Sequence, residues 1–190
     1  MRLFVALDFP DAIRASLRDL IARLRPLASG PRWARPESMH ITLKFIGETH
    51  SGKLDAIRAA LASIHSVQPV EMHFRALGFF PNERKPRVLW CGVESSANLA
   101  ALAAGIENAL EPVGIPRESR EFIPHLTLAR FDSQHRPKDV DKIVSAANEL
   151  NSFDCGSARE VEFYLYESVL KPSGAKYKRL AAFPFVRESE

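Results

Sequence analysis

The residues of this chain whose types and spacing could do chemistry are two histidine–threonine pairs. His40 is followed two residues later by Thr42, and His125 is followed two residues later by Thr127, each with an isoleucine or leucine between them. The chain has only six histidines and three threonines, so such a recurrence is rare by chance. Histidine can accept or donate a proton near neutral pH, and two histidines can divide the acid and base roles of one reaction. The pairs therefore predict an enzyme built around two histidines.

Phosphoryl transfer is the chemistry that this arrangement suits. In a β-strand, residues i and i+2 project to the same face, so each histidine shares a face with its threonine while the intervening aliphatic residue faces the core. If both pairs converge on one phosphate, a neutral imidazole can deprotonate the attacking oxygen and an imidazolium can protonate the leaving oxygen. The hydroxyls of Thr42 and Thr127 can donate hydrogen bonds to the nonbridging phosphate oxygens.

No metal and no other cofactor are expected for this chemistry. A catalytic zinc usually takes three protein ligands, and the sequence has no His-x-His, His-x-x-Glu-His or His-Asp run. The other histidines are expected to be surface or structural residues, because their spacing completes no metal site: they are His50, His65, His73 and His135.

Composition places the chain among ordinary globular proteins. Hydrophobic residues make up 46% and charged residues 26% of 190, enough for one sizeable core or two small lobes. The formal net charge of +3 suits an anionic ligand without demanding one. The apolar N-terminal stretch is too short for a signal peptide, and no run reaches the roughly 18 apolar residues of a membrane span. We therefore expect a cytoplasmic monomer with no obligate protein partner, and we expect Cys91 and Cys155 to be buried free thiols.

The spacing of apolar residues indicates an internal duplication. The stretch LFVAL at 3–7 matches LWCGV at 89–93 with an offset of 86, and the histidine motifs lie 85 residues apart. The apolar positions of the segments that follow repeat at the same interval. This pattern predicts two copies of one supersecondary unit, over about 1–86 and 87–190, within a single bilobal domain.

Each copy is predicted to contain a strand, a helix, the histidine strand, a second helix and further strand. Strands are predicted near 2–8, 39–46, 70–79, 87–93, 125–131, 159–169 and 176–183, with helices after Pro10 and near 51–65, 95–112 and 137–150. Strands that neighbour in sequence and are joined by short loops favour antiparallel pairing. We expect an α+β fold of two pseudo-twofold-related lobes, each an antiparallel sheet with helices on the outside, enclosing a central cleft.

At its two motifs the chain resembles the two-histidine (2H) phosphoesterase superfamily, whose signature is two His-x-Thr-x motifs about eighty residues apart. Five stretches are similar to the bacterial and archaeal RNA 2',3'-cyclic phosphodiesterases, historically called 2'-5' RNA ligases: RLFVALDFP, MHITLKFIGE, GFFPNERKPRVLWCGVE, PHLTLARF and YESVLKPSGAKYKRLAAFPF. The resemblance implies metal-independent opening of a terminal 2',3'-cyclic phosphate to a 2'-phosphomonoester. The implied substrates are RNA ends, tRNA fragments among them, or cyclic nucleotides.

The resemblance also implies a role for each motif residue. His40 matches the proton donor to the leaving ribose oxygen, and His125 matches the proton acceptor that activates water. Thr42 and Thr127 match the phosphate-binding hydroxyls. Arg130 matches a basic position that follows the second motif, but strict alternation along a strand would aim it away from the cleft. A phosphate-binding role for this arginine therefore requires a bend or a strand end.

Aromatic and basic residues near the motifs are candidates for contacts with RNA. Trp33, Phe45, Phe79 and Tyr177 could stack on a base, with core packing as the alternative for each. Trp33 is the strongest candidate because it lies between arginines shortly before the first motif. Arg35, Arg84 and Arg87 could hold the RNA backbone, with solvated loop charge as the alternative.

Three functions remain open from the sequence. The leading one is hydrolysis of RNA ends that carry a cyclic phosphate. The second is a 2'-5' RNA ligase acting in the joining direction, in which the same two histidines exchange acid and base roles. The third is a non-catalytic module that binds RNA ends.

Overall fold

The architecture is seen in a computed structural model that describes residues 1–64, 68–131, 140–150, 152–171 and 174–185. These residues form nine strands and four α-helices. The strands are β1 (Arg2–Leu7), β2 (Arg32–Trp33), β3 (Ile41–Glu48), β4 (Val70–Phe80), β5 (Val88–Ser95), β6 (His125–Arg130), β7 (Asp154–Glu160), β8 (Glu162–Lys171) and β9 (Gly174–Pro184). The helices are α1 (Asp11–Leu24), α2 (Leu54–Ala62), α3 (Ala97–Leu110) and α4 (Val140–Glu149).

Two antiparallel sheets organise these elements. One sheet has the strand order β3-β1-β8-β9 and the other has the order β2-β6-β5-β4-β7. The triplet β3-β1-β8 corresponds to the triplet β6-β5-β4, which is the pseudo-twofold relation expected from the sequence. The predicted α+β fold with two antiparallel sheets is confirmed. Each sheet combines strands from both predicted copies, because β4 of the first half pairs with β5 and β8 of the second half pairs with β1. The division into two repeats stays a prediction.

The helices cover the sheets through apolar stripes. Helix α1 follows Pro10 and buries Ile13, Leu17, Leu20, Ile21 and Leu24, which recur every three or four residues along one face. Full burial of such a side chain stabilises the fold by about 1.5–3 kcal/mol relative to exposure. Among the described residues no helix is long and apolar enough to span a membrane.

The sequence predicted one strand near 159–169, whereas the structure has two strands, β7 and β8, separated at Val161. Strand β7 was missed because it contains Asp154, Gly156 and Ser157 and no β-branched or aromatic residue. Gly156 also adopts a φ of 102°, a left-handed conformation that favours glycine and interrupts the alternation of buried side chains.

A buried ion pair joins β3 to α3. The Nζ atom of Lys44 donates hydrogen bonds to Oε2 of Glu107 and to the Pro116 carbonyl oxygen, both at 2.7 Å. Lys44 is only 5% exposed, so its charge depends on these two partners for compensation.

We predict that Lys44→Ala lowers the free energy of unfolding by about 3–5 kcal/mol, because it leaves the carboxylate of Glu107 buried and unpaired. The double variant Lys44→Met with Glu107→Leu should recover most of this loss, since it removes both charges at similar volume. Urea unfolding of the three proteins measures the difference. An unchanged midpoint for Lys44→Ala would show that the pair contributes nothing.

Candidate active site

A cavity of about 460 Å³ is bounded by strands of both sheets and brings the two motifs together. His40 and Thr42 line it from the β3 side, and His125 and Thr127 line it from β6. The volume lies in the range of about 300–1,000 Å³ that is typical of small-molecule sites. Side chains that are 85 residues apart in sequence therefore share one cavity.

The faces of the two strands are set by the aliphatic residues of the motifs. Ile41 and Leu43 are 0% and 5% exposed, and Leu126 and Leu128 are both 0% exposed. Because successive side chains on a strand alternate between faces, burial of these residues turns the intervening threonines, and the histidines before them, away from the core.

A β-bulge follows each motif and changes what lies beyond it. The pairing of β3 with β1 skips Leu43, and the pairing of β6 with β5 skips Leu128. An extra residue in one strand shifts the alternation by one position, so the side chain five residues after each histidine returns to the cavity. These side chains are Phe45 and Arg130, and both line the cavity. The bulge in β6 is the departure from strict alternation that a cavity-lining Arg130 requires.

The two sides of the cavity differ in chemistry. The sheet that carries the His40 strand contributes three large hydrophobic side chains that line the cavity and remain partly or largely exposed: Phe45, Leu170 and Tyr177. The ring of Tyr177 meets that of His40 edge-on at a centroid distance of 4.9 Å. Beside His125, in contrast, the cavity is lined by the guanidinium-bearing Arg130. The exposed apolar side chains thus lie on the sheet that carries His40, while Arg2, Arg35 and Arg130 supply positive charge around the cavity.

Both imidazoles are held in the same orientation. Nδ1 of His40 lies 3.0 Å from the carbonyl oxygen of Ser38, and Nδ1 of His125 lies 2.7 Å from the carbonyl oxygen of Ile123. A carbonyl oxygen only accepts hydrogen bonds, so Nδ1 carries the proton in each ring. Nε2 is then the nitrogen that can exchange a proton with a bound molecule.

Burial sets the protonation state of His40. Its ring stacks on Phe4 at a centroid distance of 4.5 Å and contacts Tyr177, and this desolvation lowers the pKa of His40 to about 4. The hydrogen bond to Ser38 and the negative charge of Asp8 oppose the shift without cancelling it. His40 is therefore neutral at pH 7 while the cavity holds no ligand.

Arg14 fixes the segment that leads into His40. Its guanidinium donates hydrogen bonds to the carbonyl oxygens of Pro36 at 2.9 Å and Met39 at 3.0 Å, and it also bonds to the carboxylate of Asp8. The Arg14 side chain is only 13% exposed. It therefore positions the backbone around the first histidine from a helix that does not line the cavity.

The remaining candidates from the sequence divide into two groups. Phe45, Tyr177 and Arg35 line the cavity. Trp33 does not; its partly buried ring packs against the hydrophobic core, while the next two residues reach the cavity. Phe79 is buried in the core, and Arg84 and Arg87 are exposed residues outside the cavity lining.

Other residues of the cavity were not singled out from the sequence. Arg2 on β1, together with Ser168 and Leu170 on β8, lines it. None belongs to a motif, and they reach the site only because β1 and β8 pair beside β3. All three lie in stretches that carry the family resemblance, but only the strand pairing shows that they line the cavity.

Within the described ranges no group of three or more histidine, cysteine, aspartate or glutamate side chains is placed to hold a metal ion. His73 bonds to Asp154 at 2.8 Å, and His50 accepts a hydrogen bond from the backbone of Gly52. Both therefore have local structural partners. His65 and His135 lie outside the described residues. Cys91 and Cys155 are buried free thiols.

Comparison with known families identifies the class. The profile of the 2'-5' RNA ligase superfamily matches residues 9–167. The chain belongs to this superfamily, as its resemblance to the two-histidine phosphoesterases implied.

Two individual relatives match this chain over almost its whole length. The chain is 36% identical over 183 residues to an RNA 2',3'-cyclic phosphodiesterase of Archaeoglobus fulgidus, covering 96% of this chain and 99% of the relative. A protein of the same name from Methanothermobacter thermautotrophicus is 31% identical, with 96% and 98% coverage.

Solved structures share the fold along the whole chain. The crystal structure of a protein from Thermus thermophilus aligns with a TM-score of 0.79 at 30% identity, covering 97% of this chain and 98% of that one. E. coli LigT complexed with 3'-AMP aligns with a TM-score of 0.76 at 27% identity, covering 98% of each chain.

We predict that His40 titrates near pH 4 in the folded protein, whereas an unfolded chain binds this proton near pH 6.5. The unfolded state then binds more protons between these values, so the free energy of unfolding falls as the pH drops from 6.5 to 4. Imidazole NMR signals report the titration midpoint, and urea unfolding reports the stability. In His40→Gln the loss of stability across this window should be smaller.

A matched pair of variants on α1 provides the control for this titration. The positive charge of Arg14 contributes to the low pKa of His40, so Arg14→Met should move the midpoint upward. Arg23→Met, on an exposed part of the same helix, should leave it unchanged. A midpoint near 6.5 in the parent protein would contradict the account of burial.

Proposed function

We propose that this protein hydrolyses the 2',3'-cyclic phosphate at RNA ends, tRNA fragments among them, or of cyclic nucleotides, to give a 2'-phosphomonoester. The observation that carries the proposal is that both histidine–threonine pairs and Arg130 line one cavity of nucleotide-compatible size. The activity printed in the names of relatives with up to 36% identity supports the same reaction.

The unequal sides of the cavity support an assignment of roles. The nucleoside of the substrate is the part that can use an apolar side, which places its sugar and base beside Phe45, Tyr177 and His40. The leaving 3' oxygen belongs to that nucleoside, so His40 is the proton donor. The attacking water then approaches from the opposite side, where His125 is the proton acceptor.

The reaction follows from these positions. Water attacks phosphorus as its proton passes to Nε2 of His125, and the bond from phosphorus to the ribose 3' oxygen breaks. The 3' oxygen takes a proton from Nε2 of His40, which leaves a 3' hydroxyl and a 2'-phosphomonoester. In-line displacement of this kind needs the two imidazoles on opposite sides of phosphorus.

His40 must gain a proton before it can act as the donor. Burial keeps the ring neutral in the free protein. A phosphodiester carries a negative charge, and its arrival favours the imidazolium, as the carboxylate of Asp8 already does. We therefore propose that the substrate itself raises the pKa of His40 into the working range.

Three side chains can stabilise the phosphate without a metal. The hydroxyls of Thr42 and Thr127 and the guanidinium of Arg130 all line the cavity. They can donate hydrogen bonds to the nonbridging oxygens, where charge resides in the transition state. The proposed mechanism accordingly assigns no role to a metal ion, and the proposed setting is a cytoplasmic monomer.

We predict that His40→Ala and His125→Ala each lower kcat by about 10²–10⁴-fold on cytidine 2',3'-cyclic phosphate. A substrate with sulfur at the bridging 3' position separates the two roles, because a thiolate leaves without protonation far more readily than an alkoxide. On this substrate His40→Ala should regain most of its activity, while His125→Ala should stay impaired.

Assays of both reactions should contain EDTA, and the product isomer should be identified by phosphorus NMR. Rescue of His125→Ala in place of His40→Ala would reverse the assigned roles. Loss of activity in EDTA would contradict a metal-independent reaction. Joining of RNA ends without any hydrolysis would favour the ligase alternative, and RNA binding without turnover would favour the non-catalytic one.

A further inference from the structure

A second depression, which we call the arginine groove, lies beside the active-site cavity. It runs between α1 and the segment 34–37, has a volume of about 340 Å³, and is lined by Arg18, Arg25 and Arg35. Ala34 and Arg35 line both the groove and the cavity. The groove is therefore placed to receive a part of a bound molecule that extends beyond the cavity.

Three of the eight residues that line the groove are arginines, set beside the apolar Ile21, Ala22, Ala34 and Pro36. Arg18, Arg25 and Arg35 are all exposed. Arg18 and Arg25 are seven residues apart, which corresponds to a rise of roughly 10 Å along the helix axis. Among the lining residues that the structure describes, Glu37 is the one acid, and it accepts a hydrogen bond from Arg18 at 2.8 Å. Grooves of positive charge that follow the backbone are a general means of binding single-stranded nucleic acid.

The chemistry of the substrate requires an exit of this kind. An RNA that ends in a 2',3'-cyclic phosphate can continue in one direction only, through the 5' oxygen of its last nucleoside. Phe45, Leu170 and Tyr177 form the apolar side of the cavity, which suits the terminal base. The phosphates on the 5' side of this nucleoside need cationic partners outside the cavity. Arg35 lies at the boundary between the cavity and the arginine groove and can supply the first of them.

We propose that the arginine groove binds the phosphodiester backbone upstream of the cyclic phosphate, so that the preferred substrate is an RNA oligonucleotide and not a cyclic mononucleotide. This inference rests on the proposed function of the neighbouring cavity. Arg18 and Arg25 contact backbone phosphates, and Glu37 competes with those phosphates for Arg18. The two kinds of substitution should therefore have opposite effects on RNA affinity: loss of the arginines weakens RNA binding, and loss of the Glu37 carboxylate strengthens it.

The test compares cytidine 2',3'-cyclic phosphate with a six-nucleotide RNA that ends in the same group. Arg18 and Arg25 line the groove but not the cavity. The double variant Arg18→Gln with Arg25→Gln should lower kcat/KM for the oligonucleotide roughly 10-fold, mainly through KM, and leave the mononucleotide unchanged. The slope of log kcat/KM against log salt is negative for the parent protein, and its magnitude should be smaller by about 1.4 in the double variant. Glu37→Gln should raise kcat/KM for the oligonucleotide a few-fold.

Arg117→Gln is the matched control, because Arg117 is also an exposed arginine paired with a glutamate, Glu111 at 3.3 Å. The proposal is overturned if this control lowers oligonucleotide turnover as much as the double variant does. Equal losses on both substrates, or no loss on the oligonucleotide, would also overturn it.

A binding measurement separates failure of this inference from failure of the proposed function. Fluorescence anisotropy with the same RNA carrying a 3'-phosphate needs no turnover. If the parent protein hydrolyses neither substrate, the proposed function fails, and the groove is then judged by binding alone. Weaker binding of the double variant and tighter binding of Glu37→Gln support the groove in that case, and equal affinities overturn it.

Discussion

Burial of the aliphatic side chains within the two motifs is the constraint on which the site depends. Ile41, Leu43, Leu126 and Leu128 are at most 5% exposed, and each contributes about 1.5–3 kcal/mol by leaving water. Turning either strand over would expose two of them and bury two polar residues in their place. Burial of these aliphatic residues therefore also orients each histidine and its threonine away from the core. The pairing of the strands then places both histidine–threonine pairs in one cavity.

The two halves of the site share a backbone plan but differ in the side chains that complete it. A bulge after each motif returns the fifth residue to the cavity, and this residue is Phe45 in one half and Arg130 in the other. Burial, which includes packing against Phe4, lowers the pKa of His40 and keeps its ring neutral in the free protein. In the proposed mechanism the ring acquires its proton with the anionic substrate. In the proposed function, the apolar side chains on the His40 side receive the nucleoside and Arg130 contacts the phosphate.

Local sequence was sufficient for the motif strands, the amphipathic helices and the α+β class, because each depends on periodicity that a short segment carries. The bulges were not predictable, since they are properties of a pairing register between distant strands. The contribution of Arg14 was hidden for the same reason, as it bonds to Pro36 and Met39 across a loop. For Trp33 the local sequence pointed to the wrong environment. Its arginine-rich neighbourhood indicated a ligand contact, whereas its ring packs against the hydrophobic core.

A crystal structure with a nucleoside vanadate tests whether the two imidazoles flank one phosphorus, because vanadate imitates the five-coordinate phosphorus of the displacement. In this complex we expect Nε2 of His40 and Nε2 of His125 each at about 3 Å from one of the two opposite apical oxygens, with the ribose oxygen on the His40 side. A vanadate that contacts only one imidazole, or one whose ribose oxygen faces His125, would contradict it.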